Sequence, residues 1–165
     1  MNIYEFAKQM EVDGEQYYRK LADESKSAGL KKIFLMLADE EVKHYQVIDL
    51  MSRVTVPPEL ARTPILDNVK NIFIEMKDTE PGLHIDSTAE TQSYRKALKI
   101  EEESRKFYQE QAEKESNGAQ QAIFLQLARE EGKHQRIMEN IVEFVSRPEP
   151  GNWLEDAEWH HLDEY

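Results

Sequence analysis

Six residues in this chain have the types and spacings to hold hard divalent cations: Glu11, Glu41, His44, Glu101, Glu131 and His134. Glu41 and His44 are three positions apart, as are Glu131 and His134. On a helix each pair therefore shares one face and can reach a common site. All six lie inside a repeat. Residues 33–44 read IFLMLADEEVKH and residues 123–134 read IFLQLAREEGKH, an offset of 90 with nine of twelve positions identical. The same offset lays Met10-Glu11 over Ile100-Glu101 and Tyr17-Tyr18 over Phe107-Tyr108. What recurs is a pair of helices, and its best-kept residues include carboxylates and imidazoles.

The elements that must position these residues follow from the spacing. Phe34, Leu37, Glu41, His44, Ile48 and Met51 step by three and four, and so do Phe124, Leu127, Glu131, His134, Met138 and Ile141. That rhythm turns one stripe of a helix toward its partners, so Glu and His occupy seam positions between large apolar residues. Tyr4, Ala7, Glu11, Gly14, Tyr18 and Leu21 form a third stripe, and Tyr94, Ala97, Glu101, Ser104 and Tyr108 a fourth. A lone Glu-x-x-His is common on solvated faces, and a lone seam histidine is usually a hydrogen-bonded core residue. Four seam carboxylates are a different matter. Each buried ion costs several kcal/mol, against a total stability of about 5–15 kcal/mol. No Lys or Arg stands in the stripes to neutralise them. Two divalent cations with neutral imidazoles would balance the four charges. One Glu from each of two helices with a Glu-x-x-His from each of two others is also the ligand set of ferritin-like di-iron carboxylate bundles.

On these residues the chain resembles the rubrerythrin branch of the ferritin-like superfamily, without a rubredoxin domain. The resemblance rests on E-x6-Y at 11–18 and 101–108 and E-x-x-H at 41–44 and 131–134, and covers about residues 1–147. It implies that Glu11 and Glu101 are terminal ligands, that Glu41 and Glu131 bridge, and that His44 and His134 each cap one iron. The implied cofactor is two Fe, with Mn possible. The implied activity is an oxidoreductase reducing H2O2 or O2 with electrons from an external donor, and the implied assembly is a homodimer. The chain departs from the family where a further Glu is expected three residues after Glu101. Ser104 stands there, and the carboxylate-for-histidine exchange that the extra Glu supports is put in doubt.

Tyr18 and Tyr108 follow their glutamates by seven positions, nearly one face, and helical side chains lean toward the N-terminus. Each phenol can reach back to hydrogen-bond a ligand carboxylate in a supporting catalytic role; filling the core with an aromatic ring is the competing reading. Gly14 costs about 1 kcal/mol relative to Ala in a helix. Room above the metals and close helix packing both explain it.

The expected fold is all-α: a ferritin-like four-helix bundle, up-down with one long crossover containing a short helix, plus a short C-terminal helical tail. The long helices are expected over about 3–27, from the Ala28-Gly29 break to about 54, 88–116, and 119–145 beyond Asn117-Gly118. Short breaks make the helices of each half antiparallel neighbours. Val56-Pro57-Pro58 ends the second helix. Thr63-Pro64 reads as an N-cap with Pro at the first helical position, and Pro81-Gly82 closes the crossover helix. A connector of that length returns the third long helix to the end where the second began, so those two run parallel. Residues 1–147 are expected as the di-metal bundle and 148–165 as a tail packed on it or on a partner subunit. Trp153, Leu154, Ala157, Trp159 and Leu162 give the tail an apolar face. His84, His160 and His161 receive no role, and Glu40, Glu102, Glu103 and Glu130 are expected as solvated or cation-guiding neighbours.

Composition bounds the function. A net charge of −12 argues against partners that select basic surfaces, namely nucleic acid and anionic membranes. Zero cysteine removes disulfides, thiol catalysis and a rubredoxin-type iron site. No apolar run has the length of a membrane span, and the first residues lack a signal-peptide pattern, so cytoplasm is expected. Mostly oxygen ligands with one imidazole per metal suit iron or manganese better than structural zinc. Two other classes compete: an iron-sequestering ferroxidase and a non-catalytic helical interaction module.

Overall fold

A computed structural model of the chain describes residues 2–53, 60–81, 83 and 88–146. Among the described residues every regular element is an α-helix: α1 (Ile3–Glu24), α2 (Ala28–Met51), α3 (Ile65–Thr79), α4 (Thr88–Lys114) and α5 (Gly118–Val145). Polar side chains set the starts. Asn2 Oδ1 accepts from Glu5 N at 2.9 Å, Ser27 Oγ from Leu30 N at 3.1 Å, and Asn117 Oδ1 from Ala119 N and Gln120 N at 3.0 Å each. Each satisfies donors that a helix N-terminus leaves orphaned. Ala28-Gly29 thus opens α2 instead of breaking the chain, and α1 stops at Glu24, three residues short of the sequence expectation. Thr63 is not a cap. Pro64 takes that position with no side-chain cap bond, and Thr63 Oγ1 donates to Glu130 in α5 at 2.9 Å. The proline pair at 57–58, Gly82, His84 and the 148–165 tail lie outside the described residues.

Helix directions follow from the contacts. Lys8 meets Asp49 and Arg19 meets Asp39, so α1 and α2 are antiparallel. Arg105 with Gln135 and Arg95 with Ser146 make α4 and α5 antiparallel. Tyr18 bonds Glu101 and Tyr108 bonds Glu11, which sets α1 against α4 head to tail. It follows that α4 runs parallel to α2, the arrangement that one long crossover requires. This is the ferritin-like bundle.

The crossover helix α3 buries Ile65, Leu66, Val69, Phe73 and Met76 against the bundle and ends at the start of α2. There the Glu80 carboxylate accepts from Ala28 N at 3.1 Å and Gly29 N at 3.0 Å, placing negative charge at the positive end of the α2 dipole. Gly29 permits this approach: a Cβ there would lie 2.3 Å from both Cγ and Sδ of Met76. Gly29→Ala is therefore expected to cost about 1–3 kcal/mol by overpacking, despite its better helix propensity. A urea titration showing a lower midpoint at unchanged slope checks this; an unchanged or higher midpoint would show that the crossover yields freely.

The buried apolar residues form two clusters. One holds Tyr18, Phe34, Leu37, Met138 and Ile141, the other Ala7, Ile48, Tyr108, Phe124 and Leu127. Between them along each stripe lie the glutamates and histidines. No helix among the described residues is long and apolar enough to cross a membrane.

Candidate metal centre

All six residues singled out in the sequence converge on one layer. Glu11 comes from α1 and Glu101 from α4, while α2 and α5 supply the two Glu-x-x-His pairs. None is more than 4% exposed. They fall into two overlapping groups, Glu11, Glu41, His44 and Glu131, and Glu41, Glu101, Glu131 and His134. Within each group one donor atom per residue lies within 4.8 Å of the others, and Glu41 and Glu131 belong to both.

The contacts are reciprocal. His44 Nδ1 lies 3.0 Å from Glu131 Oε1, and His134 Nδ1 lies 3.0 Å from Glu41 Oε1. Tyr18 OH donates to Glu101 Oε1 at 2.5 Å, and Tyr108 OH donates to Glu11 Oε1 at 2.5 Å. The rings stack equally, Tyr18 on Phe34 and Tyr108 on Phe124, each at 6.4 Å between centroids. The two halves are thus related by a pseudo-twofold axis through this layer. Each tyrosine supports the glutamate of the other half, a pairing set by the antiparallel packing of α1 and α4.

Left as carboxylates and imidazoles, the layer is electrostatically unfinished. Glu11 Oε2, Glu101 Oε2 and Glu131 Oε2 are buried without a hydrogen-bond partner, a cost of about 1–3 kcal/mol per group and more when charged. The charges compensate by holding protons. Burial, then the charges of Glu11, Glu131 and Glu101, hold the Glu41 carboxyl well above its usual range. Burial and Glu131 push Glu101 up to about 8. Burial works against charging His44 and His134. The carboxylates outweigh it, chiefly Glu11 for the first and Glu101 for the second, and hold both imidazoles well above their ordinary value. Glu131 goes the other way: burial would raise it, but hydrogen bonds with Glu101, His134 and His44 hold it well below. Burial, then Glu101 for Tyr18 and Glu11 for Tyr108, keeps both phenols protonated donors. Acidic oxygens, buried and short of partners, with one imidazole per group, fit a metal site.

Neighbours of the layer divide unexpectedly. Glu102 and Glu103 are exposed, but Glu40 and Glu130 are buried. Although equivalent in the repeat, these two are used differently. Glu130 accepts from Thr63, Gln126 and Lys133, with Lys133 Nζ at 3.0 Å, and so ties the lead-in of the crossover to α5. Glu40 keeps a buried, partnerless Oε2 and groups with His44 and His134 within 4.8 Å. His44 Nε2 and His134 Nε2 are likewise buried and partnerless. The recurrence of Glu40 as Glu130 next to each Glu-x-x-His pair was the available signal; the spacing alone places neither in the seam.

Gly14 faces this layer. A Cβ there would stand 3.0 Å from Glu41 Oε2. The residue thus makes room for a carboxylate of the cluster itself. Gly14→Ala is expected to keep the helical fold while weakening metal binding about tenfold, because the flexible group that must give way is a cluster carboxylate. Circular dichroism with metal titration checks this; parent-like affinity would show that Glu41 has slack to spare.

The sequence profile of the rubrerythrin family matches residues 2–96 and 94–151. The fold and the buried carboxylate–histidine layer define a ferritin-like metal-site bundle, and the chain belongs to the rubrerythrin family. No curated protein and no solved structure matches the chain.

Proposed function

We propose that this protein is a di-iron carboxylate oxidoreductase that reduces peroxide or O2 with electrons from an external donor. One observation carries the reading: two buried four-residue groups that share Glu41 and Glu131. Shared carboxylates suit two cations side by side: Glu11 and His44 would hold one, Glu101 and His134 the other, and Glu41 and Glu131 would serve both. When bound, an iron pair supplies the two electrons that a peroxide bond takes up. The chain's own residues do the rest. The four carboxylates neutralise two divalent charges, and Tyr18 and Tyr108 fix Glu101 and Glu11 through their hydrogen bonds. With each Nδ1 facing the carboxylates the proton would sit on Nε2. Glu40, whose Oε2 has no partner and which groups with both histidines, would be the acceptor that orients the imidazoles. Two apolar clusters keep water from the layer on either side along the bundle. A homodimer is part of this reading.

Metal analysis of the protein from iron-supplied cells, with anaerobic reduction and stopped-flow mixing with H2O2, tests it. Two irons per chain and rapid stoichiometric oxidation are expected, with a native mass of a dimer. A large cage by native mass would move the reading to iron storage, and absence of both metal and peroxide reactivity would sink it.

A further inference from the structure

A cavity of about 460 Å³ opens between α1 and α4. Its lining is nearly its own image under the repeat offset: Met10 with Ile100, Asp13 with Glu103, Tyr17 with Phe107. A cavity lined by repeat mates straddles the pseudo-twofold axis, and that axis also passes through the carboxylate–histidine layer. The cavity therefore stands over the middle of the layer, on the α1/α4 side. Met10 and Ile100 adjoin Glu11 and Glu101 in sequence, and the buried Ser104, one helical turn from Glu101, lines the cavity and gives it a hydroxyl. Where the family pattern has a further glutamate, this chain has a small side chain and a cavity.

The walls are mostly carbon, and the volume is in the range that encloses most of a small organic molecule. The symmetry is broken where Ser104 lines the cavity and its mate Gly14 does not, and where Phe6 is the mate of Lys96. Phe6 packs on Phe107 at 5.1 Å and extends the apolar wall, while Lys96 lies over the Tyr17 ring at 5.3 Å. Exposed Asp13 and Glu103 outnumber Lys96 at the mouth, which disfavours anions.

We infer that this cavity binds a neutral organic hydroperoxide, its apolar substituent between α1 and α4 and its peroxide end toward Ser104. The substrate class rests on the peroxide-reducing function proposed above; the binding site does not. The peroxide bond takes up two electrons and two protons, the O–O bond breaks, and the products are the alcohol and water. The electrons come from the external donor of the proposed reaction.

Calorimetric titration of the full-length protein as purified with 2-phenyl-2-propanol, the unreactive alcohol product of cumene hydroperoxide, tests the site. Saturable binding of one molecule per chain is expected. Met10→Trp, which fills the cavity, should weaken it at least tenfold and lower the ratio of rates on cumene hydroperoxide and H2O2 by a similar factor. Phe6→Ser removes an exposed wall without touching the core and should weaken binding about threefold, so the test survives if Met10→Trp fails to fold. No binding, or equal binding by parent and variants, overturns the site even if H2O2 is reduced normally. Binding without reduction of either peroxide overturns the substrate class along with the proposed function, and leaves the cavity a site for a neutral apolar ligand.

Discussion

Glu131→Ala is expected to reduce metal binding from two ions to one or none and to abolish the fast phase of ferrous oxidation by H2O2. Glu131 belongs to both four-residue groups and lies 3.0 Å from His44 Nδ1 and 3.5 Å from His134 Nδ1. On the proposed reading its removal deletes a donor to both cations and leaves two divalent charges facing three carboxylates in a buried layer. Tyr108→Phe is the control. It keeps shape and apolar area and removes only the hydroxyl that donates to Glu11 at 2.5 Å. Loss of such a support typically costs about 10–100-fold in affinity or activity, so two ions should still bind while the oxidation slows. Metal stoichiometry and stopped-flow oxidation on both variants decide. A Glu131→Ala protein that holds two irons and reacts like the parent would show that this layer is not the reacting centre.

The second large effect is an inversion of pH dependence by metal. Without metal, the folded chain retains protons that the unfolded chain gives up. Glu101 titrates near 8 instead of 4.5, and Glu41, His44 and His134 are shifted upward too. A raised folded pKa contributes stability that is complete below the unfolded value and is lost as pH rises through the folded one. The metal-free protein should therefore lose stability steadily from about pH 5 to 8. Glu131 has the opposite sign, but its contribution is lost only as pH falls well below 4.5, outside this window. Divalent cations replace those protons, so loading should release protons and tighten as pH rises. A ligand at a thousand times its Kd adds about 4 kcal/mol. Scanning calorimetry from pH 5 to 8, with chelator and with Mn²⁺, should show Tm falling in the first series and holding or rising in the second. Parallel profiles would mean that the carboxylates are not where the cation binds.

Much of this was readable from the chain. The three-and-four spacing fixed which face of each helix turns inward, so the six charged and imidazole residues had to share the seam with leucines and phenylalanines. The repeat made them a matched set. Helix starts are local in origin but were less legible. Ser27, expected inside the first helix, and Asn117, expected only as a break, cap because a short side chain can reach a backbone N–H two or three residues on. Thr63, the expected cap, is drawn to Glu130 instead. What the chain alone left open was every choice between equivalent residues. Glu40 and Glu130 stand in the same repeated word, as do Lys43 and Lys133, and spacing assigns each pair one role. The crossover makes the difference. Its lead-in runs past α5, where Thr63 takes Glu130 and Lys133 is buried. The exposed Lys43 lies 3.6 Å from Glu40 Oε1 and leaves Glu40 Oε2 partnerless behind the imidazoles. The tyrosines show the same limit. Seven residues of helix carry a phenol toward the layer, but which glutamate it meets depends on the direction of the facing helix. Local sequence sets which side of a helix is inside; a single asymmetric connection and the packing of antiparallel neighbours decide what each inside group touches.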